Sequence, residues 1–403
     1  MYQHRAITED LYWIGGNDRR LALFENVYPI PRGVSYNAYL LMDEKTVLLD
    51  TVDKSVSDVF LENLGHLLGE RQLDYVIVNH MEPDHCAALG QVLHRYPEAV
   101  VVCTQKALDM IGQFFGAFPA LRSQTVKEGD TLTTGRHTLS FVMAPMVHWP
   151  EVMVTYDAAD KILFSADAFG TFGALGGNLF ADEIPFEGQW LEDARRYYTN
   201  IVGKYGPQVQ ALLKKAAGLD IQMLCPLHGP IWRENIGWFL EKYKRWSTYT
   251  PEAWTAAIFC GSIYGHTENA CEILASRLAE KGVRHVRIFD VSHTDVSEQV
   301  SAAFQCSHLV FASATYNGGI YTPMETLLLE LKAHALQNRT VALIENGSWG
   351  PAAARLMAKH LEEMKGMEQI APPITIRSAV KEEQYRKLED LADLIAADIA
   401  AEE

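Results

Sequence analysis

The sequence lacks several patterns that would assign a function at once. Its six cysteines include no C-x-x-C pair, which excludes the usual signature of a zinc ribbon, a redox dithiol or a rubredoxin-like iron site. No apolar run approaches the roughly 18–20 residues that a membrane helix needs, and the N-terminus has no apolar stretch followed by a small-residue cleavage site. We therefore expect a cytoplasmic protein with reduced thiols and no membrane partner.

Positive charge is also scarce. The chain has 35 Lys and Arg against 51 Asp and Glu, a net charge of −16, which argues against non-specific binding to nucleic acid or to an anionic membrane. Its 403 residues, 48% of them hydrophobic, are enough for two folded domains. The pattern changes near 247–252, so we predict one domain over 1–250 and a second over 253–403.

The second part alternates regularly between short apolar runs and helical patterns. This alternation predicts a doubly wound α/β domain with a parallel sheet, in which ligands bind beyond the carboxyl ends of the strands. The predicted strands cover 256–260, 286–291, 309–312, 341–345 and 374–376, and the predicted helices cover 267–280, 296–304, 323–336, 351–364 and 382 onward.

The first part is less regular. Strand-like alternation at 36–42 and 47–50 is interspersed with helical patterns at 56–68 and 91–96, which predicts a mixed α/β layered domain.

A dense group of potential metal ligands follows the apolar run 73–78. His80, Glu82, Asp84 and His85 lie within six residues, and Pro83 interrupts any regular helix or central strand. We therefore expect a tight loop at a strand end that brings these side chains together. Burying so many ionisable groups without a cation is costly, so the segment favours a metal site.

Three more candidate ligands each follow an apolar run, namely His148, Asp167 and His228. Seven ligands are too many for one ion and suit two ions that share a bridging carboxylate. Imidazole and carboxylate ligands without thiolate suit iron, zinc or manganese, and the residues alone leave that choice open.

The second part has three loops at predicted strand ends that suit a flavin. The first loop leads directly into a predicted helix and contains no Lys or Arg, so it would hold a phosphate with neutral hydrogen-bond donors. It matches neither the G-x-G-x-x-G motif nor a P-loop, so neither a dinucleotide nor ATP is favoured. The other two combine glycines with a flat aromatic side chain, which suits an isoalloxazine ring. The candidate FMN contacts are Ser262, Ile263, Tyr264, Gly265, His266 and Thr267, then Ser313, Ala314, Thr315, Tyr316, Asn317, Gly318 and Gly319, and finally Asn346, Gly347, Ser348, Trp349 and Gly350.

The ligand motif resembles the H-x-H-x-D-H motif of the metallo-β-lactamase superfamily, with Glu82 in place of the second histidine. That replacement is typical of flavodiiron proteins, which the chain resembles over nearly its whole length, and the first loop of the second part resembles the FMN-phosphate loop of flavodoxins. The resemblance implies a metallo-β-lactamase-like αβ/βα sandwich followed by a flavodoxin-like domain. It also implies one iron at His80, Glu82 and His148, a second at Asp84, His85 and His228, and Asp167 between them.

The resemblance further implies a reaction and partners. Flavodiiron proteins reduce O2 to water or NO to N2O, with electrons relayed through FMN from an external donor, for which we expect a rubredoxin. We expect two subunits to pair head to tail as a homodimer, and the sequence leaves open whether two such dimers form a tetramer. Tyr197 or Tyr198 is a candidate to line the substrate pocket and donate a hydrogen bond there.

Two other functions fit part of the pattern. A zinc-loaded site of this type could hydrolyse a thioester or phosphodiester, with the flavodoxin-like domain as an accessory. A pure electron carrier would use FMN alone. Glu82 and the three flavin loops count against the hydrolase, and the intact ligand set counts against the carrier.

Overall fold

A computed structural model describes residues 2–116 and 121–402. The chain divides into two compact units, Met1–Tyr198 with Pro207–Lys244, and Thr199–Gly206 with Arg245–Glu403. The division therefore falls a few residues before 250–253, and a short segment from the first part groups with the second unit. Among the described helices, none has the length and apolar character needed to cross a membrane.

The first unit contains two sheets. The larger is antiparallel over its first three pairings and parallel over its last three; its strands, in spatial order, are Arg5–Ala6, Leu11–Trp13, Tyr39–Met42, Thr46–Leu49, Tyr75–Ile77, Val100–Cys103 and Arg122–Thr125. The other sheet is antiparallel except for its last pair; its strands are Thr131–Thr133, Thr138–Met143, Met153–Asp157, Ile162–Phe164 and Met223–Cys225.

Helices and two small hairpins complete this unit. The hairpins pair Gly16–Asp18 with Val34–Tyr36 and Leu23–Phe24 with Tyr28–Pro29. Its α-helices are Ser57–Leu68, Pro83–Cys86, Leu89–Arg95, Gln105–Phe115, Phe186–Gln189, Leu191–Tyr197, Gly206–Ala216 and Ile236–Ser247, with 3-10 turns at Lys54–Val56 and Ala181–Glu183. The π-helix Tyr198–Val202 and the 3-10 turn Gly203–Tyr205 lie, apart from Tyr198, in the segment Thr199–Gly206 that groups with the second unit.

The single strand predicted over 36–42 is wrong. The chain instead forms Val34–Tyr36 in a hairpin and Tyr39–Met42 in the larger sheet. Asn37 lies between them, and its buried side chain donates to the carbonyl oxygens of Pro226 and Gly229 at 2.8 and 2.9 Å. An alternating pattern does not reveal such a break, because the residues on both sides are equally buried.

The second unit has one parallel sheet. Its main strands, in spatial order, are Arg287–Asp290, Ala253–Gly261, Cys306–Tyr316 and Arg339–Asn346, and both Met367–Gln369 and Ile374–Ile376 pair with the last. Gly319–Ile320 adds a short antiparallel pairing. The helices are His266–Glu280, Val296–Gln305, Thr322–Ala333, Ala353–Glu362 and Glu382–Glu402.

Successive residues of the parallel strands face opposite sides of the sheet. Ile258 packs in a core with Leu274 and Leu391, from the first and last helices, whereas Phe259 packs in a core with Leu327 and Met357. Helices therefore cover both faces, and the strands are apolar on both. The strand order and the two layers of helices confirm the predicted doubly wound, flavodoxin-like fold.

Candidate metal centre and flavin site

The H-x-E-x-D-H segment lies immediately beyond the parallel strand Tyr75–Ile77. The tight loop predicted for it is only partly correct, because Pro83–Cys86 forms one helical turn with Pro83 in its first position. Proline is well suited to that position, where no backbone N–H is needed. Glu82 precedes the turn in an extended conformation, so its side chain and those of Asp84 and His85 leave the backbone in different directions.

The other three candidate ligands follow strands of the second sheet, as the sequence predicted. His148 comes after Thr138–Met143, Asp167 after Ile162–Phe164 and His228 after Met223–Cys225. All three side chains are buried. The structure brings all seven predicted ligands together.

The ligand atoms form two groups joined by Asp167, and within each group the atoms lie within 4.8 Å of one another. The first group, here called the His80 subsite, consists of His80, Glu82 and His148. His148 Nε2 lies 3.0 Å from Glu82 Oε2 and 3.1 Å from Asp167 Oδ2. His80 Nε2 lies 3.2 Å from the same Glu82 oxygen.

The second group, the His85 subsite, consists of Asp84, His85 and His228. Asp84 Oδ2 lies 3.4 Å from His85 Nε2 and 3.3 Å from His228 Nε2. Asp167 turns its other oxygen to this group, with Oδ1 3.1 Å from His85 Nε2. One carboxylate thus offers one oxygen to each subsite, as a bridging ligand does.

Several polar atoms of this cluster have no hydrogen-bond partner among the residues that the structure describes. Both carboxylate oxygens of Asp84 and Asp167 Oδ1 are buried without a hydrogen-bond donor in the described parts of the chain. The Nε2 atoms of His85 and His228 are only 3.0 Å apart. Buried oxygens and nitrogens that converge in this way are stabilised by cations, so the residues fit two metal ions.

The cluster strongly shifts the proton affinity of its members. Burial alone would raise the pKa of Asp167, but His85 and hydrogen bonds from His148 and His80 outweigh it and hold that pKa well below its usual range. For His148, burial opposes the charged form, yet hydrogen bonds with Asp167 and Glu82 raise its pKa to about 9. A metal ion takes the place of these protons on the imidazole nitrogens.

Sequence reasoning missed the residues that orient the ligands. Glu151 Oε1 accepts hydrogen bonds from His80 Nδ1 at 2.8 Å and from Met81 N at 2.9 Å. The Ser35 carbonyl oxygen accepts a 2.8 Å hydrogen bond from His228 Nδ1. The only sequence signal for Glu151 was an acidic residue beside His148 in the segment HWPE.

The two candidate tyrosines differ in their surroundings. The Tyr197 ring lies 5.5 Å from the His228 ring and 5.2 Å from that of Phe172, and its buried hydroxyl has no hydrogen-bond partner among the described residues. A Cβ at Gly170 would come within 2.9 Å of the Tyr197 ring, so this approach needs glycine. Tyr198 instead packs on Tyr243, with ring centroids 5.0 Å apart.

The three predicted flavin loops line one cavity of about 390 Å³ in the second unit. Fourteen of the eighteen predicted residues line this cavity, and so does Ser378, which the sequence pattern did not predict. Gly265 begins the helix His266–Glu280 with a φ of 88°, a conformation that favours glycine. The helix N-terminus then faces the loop with free N–H groups. Tyr264 and Trp349, 90% and 93% exposed, leave flat rings free to stack on a ligand.

Comparison with known proteins identifies the family. The family model described as "ODP family beta lactamase" matches residues 34–229. An anaerobic nitric oxide reductase flavorubredoxin of Escherichia coli is 31% identical over 363 residues, which cover 89% of this chain and 75% of that protein. The chain belongs to the flavodiiron protein family.

Solved structures agree with this assignment. The rubredoxin oxygen:oxidoreductase of Desulfovibrio gigas has a TM-score of 0.92 at 28% identity, over 99% of each chain. A variant of the flavo di-iron protein of Thermotoga maritima has a TM-score of 0.90 at 26% identity, also over 99% of each chain. The metallo-β-lactamase-like and flavodoxin-like folds are thereby confirmed, and the chain is an oxidoreductase with FMN and a non-haem diiron site as cofactors. The zinc hydrolase is not favoured.

Proposed function

We propose that this flavodiiron protein reduces O2 to water or NO to N2O in the cytoplasm. The observation that carries the proposal is the seven-residue cluster in which Asp167 offers one oxygen to each of two subsites. The His80 subsite would hold one iron and the His85 subsite the other. The names of the relatives support the two substrates, since one is a nitric oxide reductase and another a rubredoxin oxygen:oxidoreductase.

The reaction needs cofactors that accept and store electrons. When bound, two ferrous ions and one reduced FMN supply the four electrons that convert O2 to water, and the metal pair offers adjacent positions for two NO molecules. The residues of the chain hold and orient these groups. Imidazole and carboxylate ligands without thiolate fill only part of each coordination sphere, which leaves room for substrate.

The aromatic side chains beside the His85 subsite would form one wall of the substrate pocket. Phe24 and Tyr197 pack against His228, with ring centroids 5.4 and 5.5 Å from that of the histidine, and Phe172 packs edge to face on both of them. Apolar rings exclude water and admit small uncharged molecules such as O2 and NO. The Tyr197 hydroxyl is the nearby donor with no partner among the described residues, so it is suited to donate a hydrogen bond to bound substrate.

We further propose that a rubredoxin-type protein donates electrons to FMN. The electrons then pass from the FMN of one subunit to the metal ions of the other in a head-to-tail homodimer, which is either the whole assembly or half of a tetramer. The presence of the flavin loops and the metal cluster in different compact units supports the need for a partner subunit. The names of the relatives support the donor.

Anaerobic purification followed by iron and flavin analysis tests the cofactors. We expect about two irons and one FMN per chain, and consumption of O2 or NO when reduced rubredoxin is supplied. Protein grown with ample iron that contains zinc and no flavin would contradict the proposal.

Subunit mixing tests the dimer. A variant depleted in iron, Asp167→Asn, and a variant with weakened FMN binding, Trp349→Ala, should each be less active alone than the wild-type protein at limiting FMN. If electrons pass between subunits, a mixture that exchanges subunits should regain activity, because one site pair in each mixed dimer is intact. A mixture that exchanges subunits but stays inactive, or a fully active monomer, would contradict the head-to-tail arrangement.

A further inference from the structure

Three histidines of the metal centre differ in what their outer ring nitrogen contacts. His80 Nδ1 donates to the Glu151 carboxylate, and His228 Nδ1 donates to the Ser35 carbonyl oxygen, both at 2.8 Å. His85 Nδ1 is buried and has no hydrogen-bond partner in the described parts of the chain. The outer contact is therefore anionic at His80, neutral at His228 and missing at His85.

The ligands themselves do not create this difference. Each subsite has two imidazoles, one terminal carboxylate and one oxygen of Asp167. The terminal carboxylate is Glu82 in the His80 subsite and Asp84 in the His85 subsite. Since the two ligand sets carry the same formal charge, a difference in charge between the subsites comes from residues outside them.

Among the described residues outside the ligand set, Glu151 is the buried carboxylate that hydrogen-bonds a ligand imidazole. Two other carboxylates lie near the ligands. Asp50 accepts from the backbone N–H of Asn79 and His80 and from the Asn79 side chain, so its hydrogen bond with the ligand His80 is through the backbone alone. Glu25, an exposed residue, hydrogen-bonds the Glu82 carboxylate and not an imidazole. Glu151 thus adds a negative charge to one subsite through an imidazole ring.

The burial and hydrogen bonding of the Glu151 carboxylate favour a cation close to it. Its Oε1 accepts both of its side-chain hydrogen bonds, from His80 Nδ1 and Met81 N, while its Oε2 is buried with no donor among the described residues. A buried carboxylate with an oxygen that lacks a donor is unfavourable unless positive charge lies close to it. A cation on the opposite nitrogen of His80 provides that charge, and the carboxylate in turn makes the imidazole a stronger ligand.

We propose that Glu151 makes the two subsites unequal, so that the ion in the His80 subsite is retained more tightly and has the lower reduction potential. Glu151 is a positioning residue, because it acts through His80. The inference rests on the proposed diiron function and extends it by assigning the inequality to one side chain.

The substitution Glu151→Gln separates charge from hydrogen bonding. A glutamine Oε1 in the same place still accepts from His80 and Met81, so only the charge is lost. Asp157→Asn is the matched control, because Asp157 is a buried carboxylate that accepts a 2.7 Å hydrogen bond from His137, a histidine outside both subsites. Both variants remove a buried negative charge that pairs with a histidine.

The experiment follows iron release from the iron-loaded, FMN-containing protein to a ferrous chelator under anaerobic conditions. We expect the wild-type protein and Asp157→Asn to release iron in two phases of one equivalent each. In Glu151→Gln the slow phase should accelerate by about 10- to 100-fold, the range for loss of an outer partner of a metal-bound histidine. The fast phase should be unchanged.

A redox titration followed by electron paramagnetic resonance gives a second measurement. The interval of potential over which one iron is ferric and the other ferrous should narrow in Glu151→Gln, and a general loss of stability would not produce that change. An unchanged slow phase with an unchanged interval would overturn the inference. Wild-type protein that holds fewer than two irons would instead overturn the proposed function, and the inference with it.

Discussion

His137 Nδ1 donates a 2.7 Å hydrogen bond to Asp157 Oδ2, and both side chains are buried. On its other side, His137 Nε2 lies 2.9 Å from Asp10 Oδ2. Asp10 immediately precedes a strand of the larger sheet, and Asp157 ends a strand of the other sheet. A single histidine therefore links the two sheets of the first unit through two carboxylates.

Because of this link, the free energy of unfolding should decrease as the pH becomes alkaline. Burial lowers the pKa of His137, but hydrogen bonds with Asp157 and Asp10 prevail and raise it from 6.5 to about 9. A raised folded-state pKa means that the stabilisation is complete below pH 6.5 and is lost as the pH rises through 9. His137→Gln should lower the free energy of unfolding by about 3 kcal/mol at pH 6.

Denaturant unfolding of the first unit at several pH values checks this. The difference between the wild-type protein and His137→Gln should shrink between pH 6.5 and pH 9. A difference that stays constant over this interval would mean that His137 is neutral in the folded protein.

The sequence alone predicted the second unit well, for a physical reason. Its three central strands, Ala253–Gly261, Cys306–Tyr316 and Arg339–Asn346, are buried on both faces, so they read as apolar runs, and the loop after each of them contains glycine. The first unit was harder to predict because its two sheets mix buried and half-buried strands, which gives a weaker sequence pattern. In addition, the break at Asn37 lies between residues that are all buried, so the pattern does not reveal it.

The metal ligands were predictable because ionisable residues are rarely clustered behind apolar strands without a cation. The residues that orient them were not. Glu151 acts through His80, 71 positions away, and the Ser35 contact uses a backbone oxygen, which leaves no trace in residue type. Ser378 at the flavin cavity was not predictable either, because the loop that contains it has no glycine pattern.

Asp167 should be required for both metal ions. Because its two oxygens face different subsites, Asp167→Asn should lower iron content from about two to below one per chain after equal loading. His228→Asn is the comparison, since it removes a ligand of the His85 subsite alone and should leave about one iron. Elemental analysis after gel filtration measures both, and two irons in Asp167→Asn would contradict the bridging role.

Trp349 should hold the flavin by stacking. Its indole is 93% exposed at the rim of the cavity, where it is free to stack on a flat ligand. Trp349→Ala should weaken FMN binding to the apoprotein by roughly 3- to 10-fold, whereas Trp349→Phe should largely retain it. Quenching of FMN fluorescence gives both affinities. Equal affinity in Trp349→Ala would assign the ring to another contact.

Tyr197 should affect turnover without affecting assembly. Its hydroxyl is buried and has no hydrogen-bond partner among the described residues, so Tyr197→Phe removes a polar group that does not stabilise the fold. We expect unchanged iron and FMN content, equal or higher thermal stability, and a fall in kcat of about 10- to 100-fold for O2 or NO if the hydroxyl donates to bound substrate.

Tyr198→Phe is the matched comparison for that experiment, because Tyr198 is equally buried but packs on Tyr243. A loss of kcat in Tyr197→Phe alone would locate the substrate beside His228, since the Tyr197 ring contacts that histidine. Wild-type turnover in Tyr197→Phe would mean that the ring only packs against the ligand. In that case the substrate must be held by the metal ions without a donor from this side of the pocket.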